Sequence, residues 1–258
     1  MQPSLTEVIR WARQAGEILR AGFGNHHQIE FKGTANLVTE MDRKSEEFLI
    51  STIRQRFPTH TIIAEESGLS RGSDESCWFI DPLDGTTNYA HNLPIFSVSI
   101  AYKSQGEIRL GVVYDPSRDE CFYAERGNGA WLNDTRLHIS PCTELEKALL
   151  VTGFPYEILK QPNNNIENFR RFSLRAQAVR RLGSAALDLC YVAAARFDGY
   201  WELALKPWDV AAGAFLTQEA GGLVTDMDGG NGWLTPPNSL IGANPSLHAQ
   251  ILAVLQEK

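Results

Sequence analysis

The sequence predicts a mixed α/β protein whose two halves are built differently. In the first half, the alternating segments "IFSVSIAY", "IRLGVVYD" and "ECFYAE" are separated by Gly or Asp-Pro turns, which is typical of an antiparallel meander. In the second half, short apolar strands alternate with helical patterns, which is typical of an α/β unit. Because the pattern changes near Ser140-Pro141, we expect an N-terminal half over residues 1–140 and a C-terminal half over residues 141–258.

The first half begins with two predicted helices. Ser4 and Glu7 fit a capping box, and apolar residues then recur at helical spacing as far as the glycines at 22–24. A second helix is predicted from about Thr39 to Phe57, and Pro58 ends it. The segment "FKGTANLVTEMD" between the helices is predicted to be a loop or a hairpin.

The remaining elements follow from the same patterns. "TIIAEE" and "CWFIDP" are predicted as buried strands on either side of a polar loop, "GLSRGSDES", and "RGNGAWLN" as a turn with a short strand. In the second half the predicted strands are "KALLVTG", "AVRRLG", "GYWEL", "GLVTD" and "SLIGAN". The predicted helices there are "NIENFRRFSLRAQ", "SAALDLCYVAAARF", "WDVAAGAFLTQEAGG" and a final helix from Pro245.

Composition excludes several classes of protein. The net charge of -7 disfavours a polyanion partner, and a small arginine cluster around residues 170–181 is more typical of a solvated helix face than of a nucleic-acid site. Neither a membrane span nor a signal peptide is evident, and the four cysteines form no CxxC pair. We therefore expect a cytoplasmic protein without membrane or nucleic-acid partners.

Five acidic residues lie at corresponding places in the pattern. Glu65 follows the strand "TIIA", Asp81 and Asp84 follow "CWFI", Asp209 begins a helix after "LALKPW", and Asp42 lies on or before the second helix. Taken singly, each is more typical of a turn, a helix cap or a solvated side chain. Grouped together they would repel one another unless a cation lay between them. Oxygen ligands without Cys or His favour Mg²⁺ over zinc.

The segment "DPLDG" has a shape that suits such a site. Pro82 fixes the chain direction after Asp81, so that both aspartates and the Leu83 carbonyl can point toward one ion. Gly85 allows the backbone to approach a ligand closely. The N–H groups at the start of a helix "TTNYAHN" could then bind a phosphate. Metal ligands beside a phosphate site are what phosphoryl transfer requires.

Four motifs carry a resemblance that covers nearly the whole chain. They are "AEES" at 64–67, "DPLDGTTN" at 81–88, "GSAALD" at 183–188 and "KPWDVAAG" at 206–213, preceded by "NLVTEMD" at 36–42. In this order they resemble the inositol monophosphatase family of Mg²⁺-dependent, lithium-sensitive phosphatases. The resemblance implies an αβαβα five-layered sandwich of the inositol monophosphatase and fructose-1,6-bisphosphatase type, assembled as a homodimer.

The resemblance also implies a set of metal ligands. Glu65, Asp81 and the Leu83 carbonyl match the ligands of a first Mg²⁺. Asp81, Asp84 and Asp209 match the ligands of a second, and Glu65 matches a residue that holds a third ion through water. Two to three Mg²⁺ ions are therefore the expected cofactors.

Catalytic and substrate-binding roles are implied in the same way. Glu65 and Thr86, with Thr86 oriented by Asp42, would position and deprotonate a metal-bound water that attacks phosphorus in line. Lys32 resembles the lysine of a mobile loop before Asp42. The residues that match substrate contacts are Gly85, Thr86, Gly183, Ser184, Ala185, Glu202 and Asp209.

The expected activity is hydrolysis of inositol monophosphate, or of a related phosphorylated polyol, to the alcohol and phosphate. One alternative is the same chemistry on histidinol phosphate, fructose 1,6-bisphosphate or adenosine 3′,5′-bisphosphate. Thr87 disfavours the nucleotide-bisphosphate branch, which tends to have Lys there. An alternative of another class is a regulatory or RNA-associated binding protein that keeps the fold. The intact acidic set and the net charge of -7 weigh against that role.

Overall fold

The structure, a computed structural model, describes residues 2–25, 29–31, 37–155, 158–236 and 238–257, with the backbone alone at 29–31, 37 and 74. Lys32 lies outside the described residues, so its role stays a prediction. Within the described part of the chain, no helix is both long enough and apolar enough to cross a membrane.

The helices fall in the predicted places. Seven α-helices lie within the described ranges: α1 (Leu5–Gly22), α2 (Glu40–Arg56), α3 (Thr86–Ala90), α4 (Ile166–Ser173), α5 (Ala185–Ala193), α6 (Pro207–Glu219) and α7 (Pro245–Leu255). Short 3₁₀ turns are formed by Leu145–Lys147 and Gly232–Leu234. The helix α4 is shorter than predicted, because the chain leaves it after Ser173 and enters a strand at Ala178.

Strands build two principal sheets. The larger has the order β10-β9-β8-β7-β6-β5-β3-β4, the smaller has the order β12-β11-β13-β15-β14, and β1 pairs with β2 as an antiparallel ribbon. The strands of the ribbon and the large sheet are β1 (Ile29–Phe31), β2 (Leu37–Thr39), β3 (His60–Ala64), β4 (Gly68–Ser70), β5 (Ser73–Asp84), β6 (Ser97–Ser104), β7 (Glu107–Asp115), β8 (Glu120–Glu125), β9 (Ala130–Leu132) and β10 (Thr135–Arg136). Those of the small sheet are β11 (Leu149–Thr152), β12 (Ala178–Arg180), β13 (Gly199–Leu205), β14 (Leu223–Thr225) and β15 (Asn238–Ala243).

Helices and sheets alternate in five layers. Apolar residues of α1 and α2 pack on one face of the large sheet. On its other face lie α5 and α6, which also contact the small sheet. The outer face of the small sheet is covered by α4 and α7. This arrangement confirms the predicted αβαβα sandwich.

The first two helices form for the reasons that the sequence suggested. Ser4 accepts from the Glu7 N–H and the Glu7 carboxylate accepts from Ser4, which completes a capping box. Apolar residues of α1, including Trp11 and Leu19, face the large sheet. At α2 the N-cap is Thr39, and Asp42 completes a second capping box. That second box matters for function, because it fixes the direction of the Asp42 side chain.

One predicted loop is partly wrong. The segment at 68–76 contains β4 and the first residues of β5, although its composition is polar. Strand β4 pairs with β3 at the edge of the sheet, where polar side chains remain in water, so polarity does not prevent strand formation there. Strand β5 also extends further than predicted and ends at Asp84.

The division of the chain near residue 140 stays a prediction. Strands of the large sheet end at Arg136, and those of the small sheet begin at Leu149. The central apolar cluster nevertheless includes residues from both sides of this point, such as Phe122 and Phe215. The cavity described below lies where these two parts of the chain meet.

Candidate active site

A bulge in β5 carries the first two aspartates. Along the ladder with β6, Asp81 lies opposite Ser99 and Asp84 lies opposite Ser97, so two residues of β5 oppose one of β6. Those two residues are Pro82 and Leu83. Proline is compatible with a bulge because it has no N–H to donate to the ladder. The bulge therefore changes the directions of the Asp81 and Asp84 side chains relative to those in a regular strand.

Hydrogen bonds hold this bulge in place. The Asp81 Oδ1 accepts from the Leu83 N–H at 3.0 Å. The Pro82 carbonyl accepts from the Ser45 hydroxyl of α2 at 2.9 Å. Gly85 follows at φ 95°, and a Cβ there would lie 2.8 Å from the Ile95 carbonyl oxygen. Both its backbone conformation and the space around it therefore require glycine.

Thr86 and Asp42 are in direct contact, as the resemblance implied. The Thr86 hydroxyl lies 3.0 Å from Asp42 Oδ1 and 3.0 Å from the Leu83 carbonyl, so its single hydrogen can be donated to either. Asp42 Oδ2 accepts from the Thr39 N–H at 2.8 Å and from its hydroxyl at 2.6 Å. Burial raises the pKa of Asp42 to about 6, although the hydrogen bonds from Thr39 oppose this rise.

Glu65 lies directly after β3, in a turn that α2 anchors. The Glu46 carboxylate, which is 4% exposed, accepts from the N–H groups of Glu66 and Ser67, each at 2.8 Å. A carboxylate that accepts two backbone N–H groups fixes the turn in both position and direction. Sequence reasoning missed Glu46. The available signal was an acidic residue on the inward face of α2, between Asp42 and Leu49 at helical spacing.

Asp84 connects the bulge to the second half of the chain. Its Oδ2 accepts from the Ser184 hydroxyl at 2.6 Å and from the Ala186 N–H at 2.8 Å. Ser184 also caps α5 by accepting from the Leu187 N–H. Burial raises the pKa of Asp84 to about 6, while these hydrogen bonds and the charge of Arg181 lower it.

Asp209 lies in the first turn of α6. It occupies the third helical position, and its Oδ2 accepts from the Lys206 N–H at 2.7 Å. Its carboxylate therefore completes the helix cap and lines the cavity as well, so the capping role and the site role coexist. Burial raises the pKa of Asp209 well above its usual range, and the charges of Glu65 and Asp84 add to the rise.

A cavity of about 210 Å³ is lined by Glu65, Asp81, Leu83, Asp84, Thr86 and Asp209. Asp42 is not part of this lining and contacts it through the Thr86 hydroxyl. Burial raises the pKa of Asp81 well above its usual range, and the charges of Glu65, Asp84 and Asp209 add to that rise. So many buried carboxylates cannot all be charged at neutral pH without a compensating cation. The acidic residues on the wall are Glu65, Asp81, Asp84, Asp188, Glu202 and Asp209, and the basic residues are Arg181 and Lys206.

The donor set fits a hard cation. The cavity lining includes carboxylates and the residue Leu83, whose carbonyl was predicted as a ligand, but neither Cys nor His. Among the described residues, however, no three Asp, Glu, His or Cys side chains are already arranged to hold a metal ion. Binding of a cation would therefore have to draw the carboxylates toward it.

The predicted substrate contacts line the same cavity. Gly85, Thr86, Gly183, Ser184, Ala185, Glu202 and Asp209 are all on its wall. The Glu202 Oε2 accepts from the buried Tyr200 hydroxyl at 2.7 Å, and burial raises the pKa of Glu202 to about 7. Ala204, at φ 58°, forms a bulge of β13 beside the cavity. Sequence reasoning missed Tyr200, which lies in no quoted motif, and gave no role to Asp188, the last residue of the motif "GSAALD".

Comparison with known proteins agrees with this geometry. A sequence model described as the inositol monophosphatase family matches residues 1–258. Among curated proteins, the chain is 46% identical over 266 residues to a protein named Nus factor SuhB from Pasteurella multocida, covering 99% of this chain and 97% of that protein. The Escherichia coli K12 protein of the same name is 42% identical over 261 residues, covering 100% of this chain and 97% of that protein.

Solved structures give the same result. An inositol monophosphatase from Anabaena (Nostoc) is 42% identical with a TM-score of 0.87, covering 97% of this chain and 94% of that one. The extragenic suppressor protein suhB from Bartonella henselae is 38% identical with a TM-score of 0.91, covering 98% of this chain and 99% of that one. Sequence, fold and cavity agree, and the chain belongs to the inositol monophosphatase family.

Proposed function

We propose that the protein is a Mg²⁺-dependent phosphomonoesterase that hydrolyses inositol monophosphate to inositol and phosphate. Membership of the family supports phosphatase chemistry. One structural observation carries the proposal: acidic residues from separate segments, namely Glu65, the bulge of β5 and Asp209, line one cavity beside Thr86. That combination suits the neutralisation and positioning of a phosphate group.

The residues proposed to hold the ions are Glu65, Asp81, the Leu83 carbonyl, Asp84 and Asp209. When bound, two to three Mg²⁺ ions would neutralise the phosphate oxygens and lower the pKa of a water molecule. Burial raises the pKa values of Asp81 and Asp209, and the charges of neighbouring acids add to the rise. These raised pKa values support the assignment, because a cation would stabilise the ionised carboxylates against both effects.

The chain's own side chains would orient the attacking water. When Thr86 donates its hydrogen to Asp42, its oxygen is left to accept a hydrogen bond from that water. Glu65 would accept the proton that the water loses. The water oxygen would bond to phosphorus as the ester P–O bond on the opposite side breaks, and a second water near Asp209 would protonate the departing alkoxide. The hydroxide left from that second water would take up, through solvent, the proton released by Glu65, which returns both to their starting states.

Glu202 is proposed to bind hydroxyl groups of the alcohol. Its Oε2 is held by Tyr200, so the position of the carboxylate is fixed before a substrate arrives. A carboxylate accepts hydrogen bonds from hydroxyl groups, which suits a polyol better than an aromatic or aliphatic alcohol. This feature favours a hydroxyl-rich ester such as inositol monophosphate over histidinol phosphate.

A substrate panel tests the proposal. Phosphate release is measured with and without Mg²⁺ on myo-inositol 1-phosphate, histidinol phosphate, fructose 1,6-bisphosphate and adenosine 3′,5′-bisphosphate. We expect the first to have the highest kcat/KM and every reaction to need Mg²⁺. A higher kcat/KM for one of the others would assign the same chemistry to that substrate. Absence of release from all four would contradict the proposed activity.

A Nus factor role is a second candidate, because the curated relatives at 46% and 42% identity carry that name. Complementation of an Escherichia coli strain that lacks SuhB tests it. If wild type and Asp81→Asn both complement, the chain has a binding role that does not need turnover. If neither complements, this candidate is excluded.

We also expect a homodimer, which light scattering would detect as twice the mass of the chain.

A further inference from the structure

Asp188 is an acidic residue of the cavity wall to which neither the proposed metal set nor the proposed catalytic set gives a role. Its side chain is 1% exposed, and its Oδ1 has no hydrogen-bond partner among the described residues. A buried carboxyl oxygen without a partner destabilises a fold. An acid in the first turn of α5 suits the helix dipole, but that interaction leaves Oδ1 without a hydrogen-bond donor. Contact with a ligand in the cavity would supply one.

The surroundings of Asp188 on α5 lead to the same conclusion. Ser184 already caps this helix through the Leu187 N–H, so Asp188 is not needed as a cap. Its neighbours on the helix, such as Ala186 and Leu189, are buried in the apolar layer between the two sheets. A leucine would suit this layer better than an acid.

Among charged groups, Glu202 of β13 has the largest effect on the pKa of Asp188. Burial raises the pKa of Asp188 well above its usual range, and among charged groups Glu202 contributes most to the rise, followed by Asp84. The Arg181 guanidinium opposes the rise. Both residues line the cavity, Asp188 from α5 and Glu202 from β13, and Tyr200 holds the Glu202 carboxylate in place.

The pair has the hydrogen-bonding capacity that a polyol requires. A protonated carboxyl offers one donor and further acceptors, and an ionised carboxylate offers acceptors alone. Each hydroxyl group of a polyol is a donor and an acceptor. We propose that Asp188 and Glu202 form a two-carboxyl subsite that binds adjacent hydroxyl groups of a cyclic polyol phosphate. The inference rests on the proposed phosphomonoesterase function and names the part of the substrate that the site recognises.

Comparison of two substrates distinguishes recognition of polyol hydroxyl groups by Asp188 from a general effect of this residue on activity. The kcat/KM is measured with Mg²⁺ for myo-inositol 1-phosphate and for p-nitrophenyl phosphate, which has no hydroxyl groups on its ring. We expect Asp188→Leu to lower kcat/KM at least tenfold for the inositol ester and less than twofold for the aryl ester. Asp188→Asn keeps part of the hydrogen bonding and should lie between Leu and wild type. Equal losses on both substrates would overturn the proposal.

Thermal stability gives a second readout. If Asp188 had a purely structural role, its substitution would lower the Tm, whereas the proposed role predicts no decrease. Because Asp188 has an oxygen without a partner, Asp188→Leu should have a Tm equal to or above that of wild type. Asp228→Asn, a change of an exposed acid outside the cavity, is the control for loss of one negative charge and should match wild type throughout. A lowered Tm with an unchanged substrate ratio would assign Asp188 to folding alone.

Failure of this inference can be distinguished from failure of the proposed function. If wild type hydrolyses both esters and Asp188→Leu keeps their ratio, the inference alone is wrong. If wild type hydrolyses neither, the proposed function is wrong, and the subsite is tested by ligand protection. In that case myo-inositol 1-phosphate with Ca²⁺ should raise the Tm of wild type more than that of Asp188→Leu, and equal shifts would overturn the subsite.

Discussion

Gly153 leaves room for the Glu202 carboxylate. A Cβ on Gly153 would lie 2.1 Å from Glu202 Oε1, a separation that non-bonded atoms do not reach. On its other side, the Glu202 Oε2 is bonded to Tyr200. The carboxylate is therefore confined between a hydroxyl and a glycine, and its position depends on the absence of a single methyl group.

We therefore expect Gly153→Ala to have the same effect on kcat/KM as removal of the Glu202 carboxylate. We expect kcat/KM for myo-inositol 1-phosphate to fall about tenfold, which corresponds to about 1.4 kcal/mol, because the displaced carboxylate no longer meets the substrate. Steady-state kinetics of Gly153→Ala, Glu202→Ala and the double variant provide the measurement. In the double variant the second substitution should add little, because the carboxylate is already absent. Fully additive losses would contradict this explanation.

Asp42 should impose a pH dependence on the stability of the metal-free protein. Its folded pKa of about 6 lies above the ordinary value of 3.8, so its protonated form is favoured in the folded state. Its contribution to stability is therefore fully present below about pH 4 and is lost as the pH rises through about 6. The difference of about 2 pKa units corresponds to about 3 kcal/mol.

Urea unfolding with EDTA between pH 4 and 7 measures this contribution. Asp42→Asn loses hydrogen bonds to Thr39 and should be less stable at pH 4. As the pH rises, the free energy of unfolding should fall more steeply for wild type than for Asp42→Asn, so that the gap between them narrows. Parallel profiles would show that Asp42 has the same pKa in the folded and unfolded states.

At the level of single elements, α2 serves the site through its first two turns. Asp42, in its first turn, contacts Thr86, and Glu46, one turn later, holds the turn after β3 that carries Glu65. A short turn with both N–H groups bound to one buried carboxylate has little freedom to move. The position of Glu65 thus depends on a residue that does not itself line the cavity.

Glu46→Gln should weaken the response to Mg²⁺ more than it slows turnover. Glutamine keeps the size of the side chain but replaces one accepting oxygen by a donor, so one of the two N–H groups loses its partner. We expect the Mg²⁺ concentration for half-maximal activity to rise about five- to tenfold, with kcat at saturating Mg²⁺ changed less than threefold. Titration of activity with Mg²⁺ is the measurement. Glu47→Gln, an exposed neighbour on the same helix, is the matched control.

Elements with a strong pattern could be predicted from sequence, and residues that act through tertiary contacts could not. The capping boxes of α1 and α2 are local, so both helix starts were correct. The convergence of Asp81 and Asp84 was predicted as a turn after a strand, whereas the structure has a bulge within β5, which continues to Asp84. Glu46 binds backbone N–H groups 20 and 21 residues away, and the pKa of Asp188 depends on Glu202 and Asp84 in other elements. Helical spacing and the motif "GSAALD" mark these two positions, but neither local signal identifies the tertiary partners.

At the scale of the whole molecule, the cavity is formed by both parts of the chain. The bulge of β5 supplies one wall, while the starts of α5 and α6 and the bulge of β13 supply another. The Asp84 carboxylate links the two walls, because it accepts hydrogen bonds from the Ser184 hydroxyl and the Ala186 N–H. The layer order was implied by the resemblance and is confirmed. The packing of α5 and α6 between two sheets could not be predicted from hydrophobic periodicity, because both helices are buried on nearly every side and show no polar face.

This construction makes the acidic wall a source of instability that a cation should remove. The charges of Glu65, Asp84 and Asp209 raise the pKa of the buried Asp81, and those of Glu65 and Asp84 raise the pKa of the partly buried Asp209. Mg²⁺ that binds the folded state alone stabilises it by about 2.7 kcal/mol at one hundred times its Kd. For a protein of this size, that corresponds to a rise in Tm of about 5–10 °C.

Asp81→Asn should differ from wild type both in its Tm without metal and in the shift of Tm that Mg²⁺ causes. Without metal its Tm should exceed that of wild type, because the substitution removes a buried charge that its neighbours repel. With Mg²⁺ its Tm should rise much less than that of wild type, and Mg²⁺-dependent phosphate release should be lost. Thermal unfolding with EDTA, Mg²⁺ or an equal ionic strength of KCl separates specific binding from screening. A Mg²⁺ shift as large in Asp81→Asn as in wild type would place the ion elsewhere, and the acidic wall would then need another explanation.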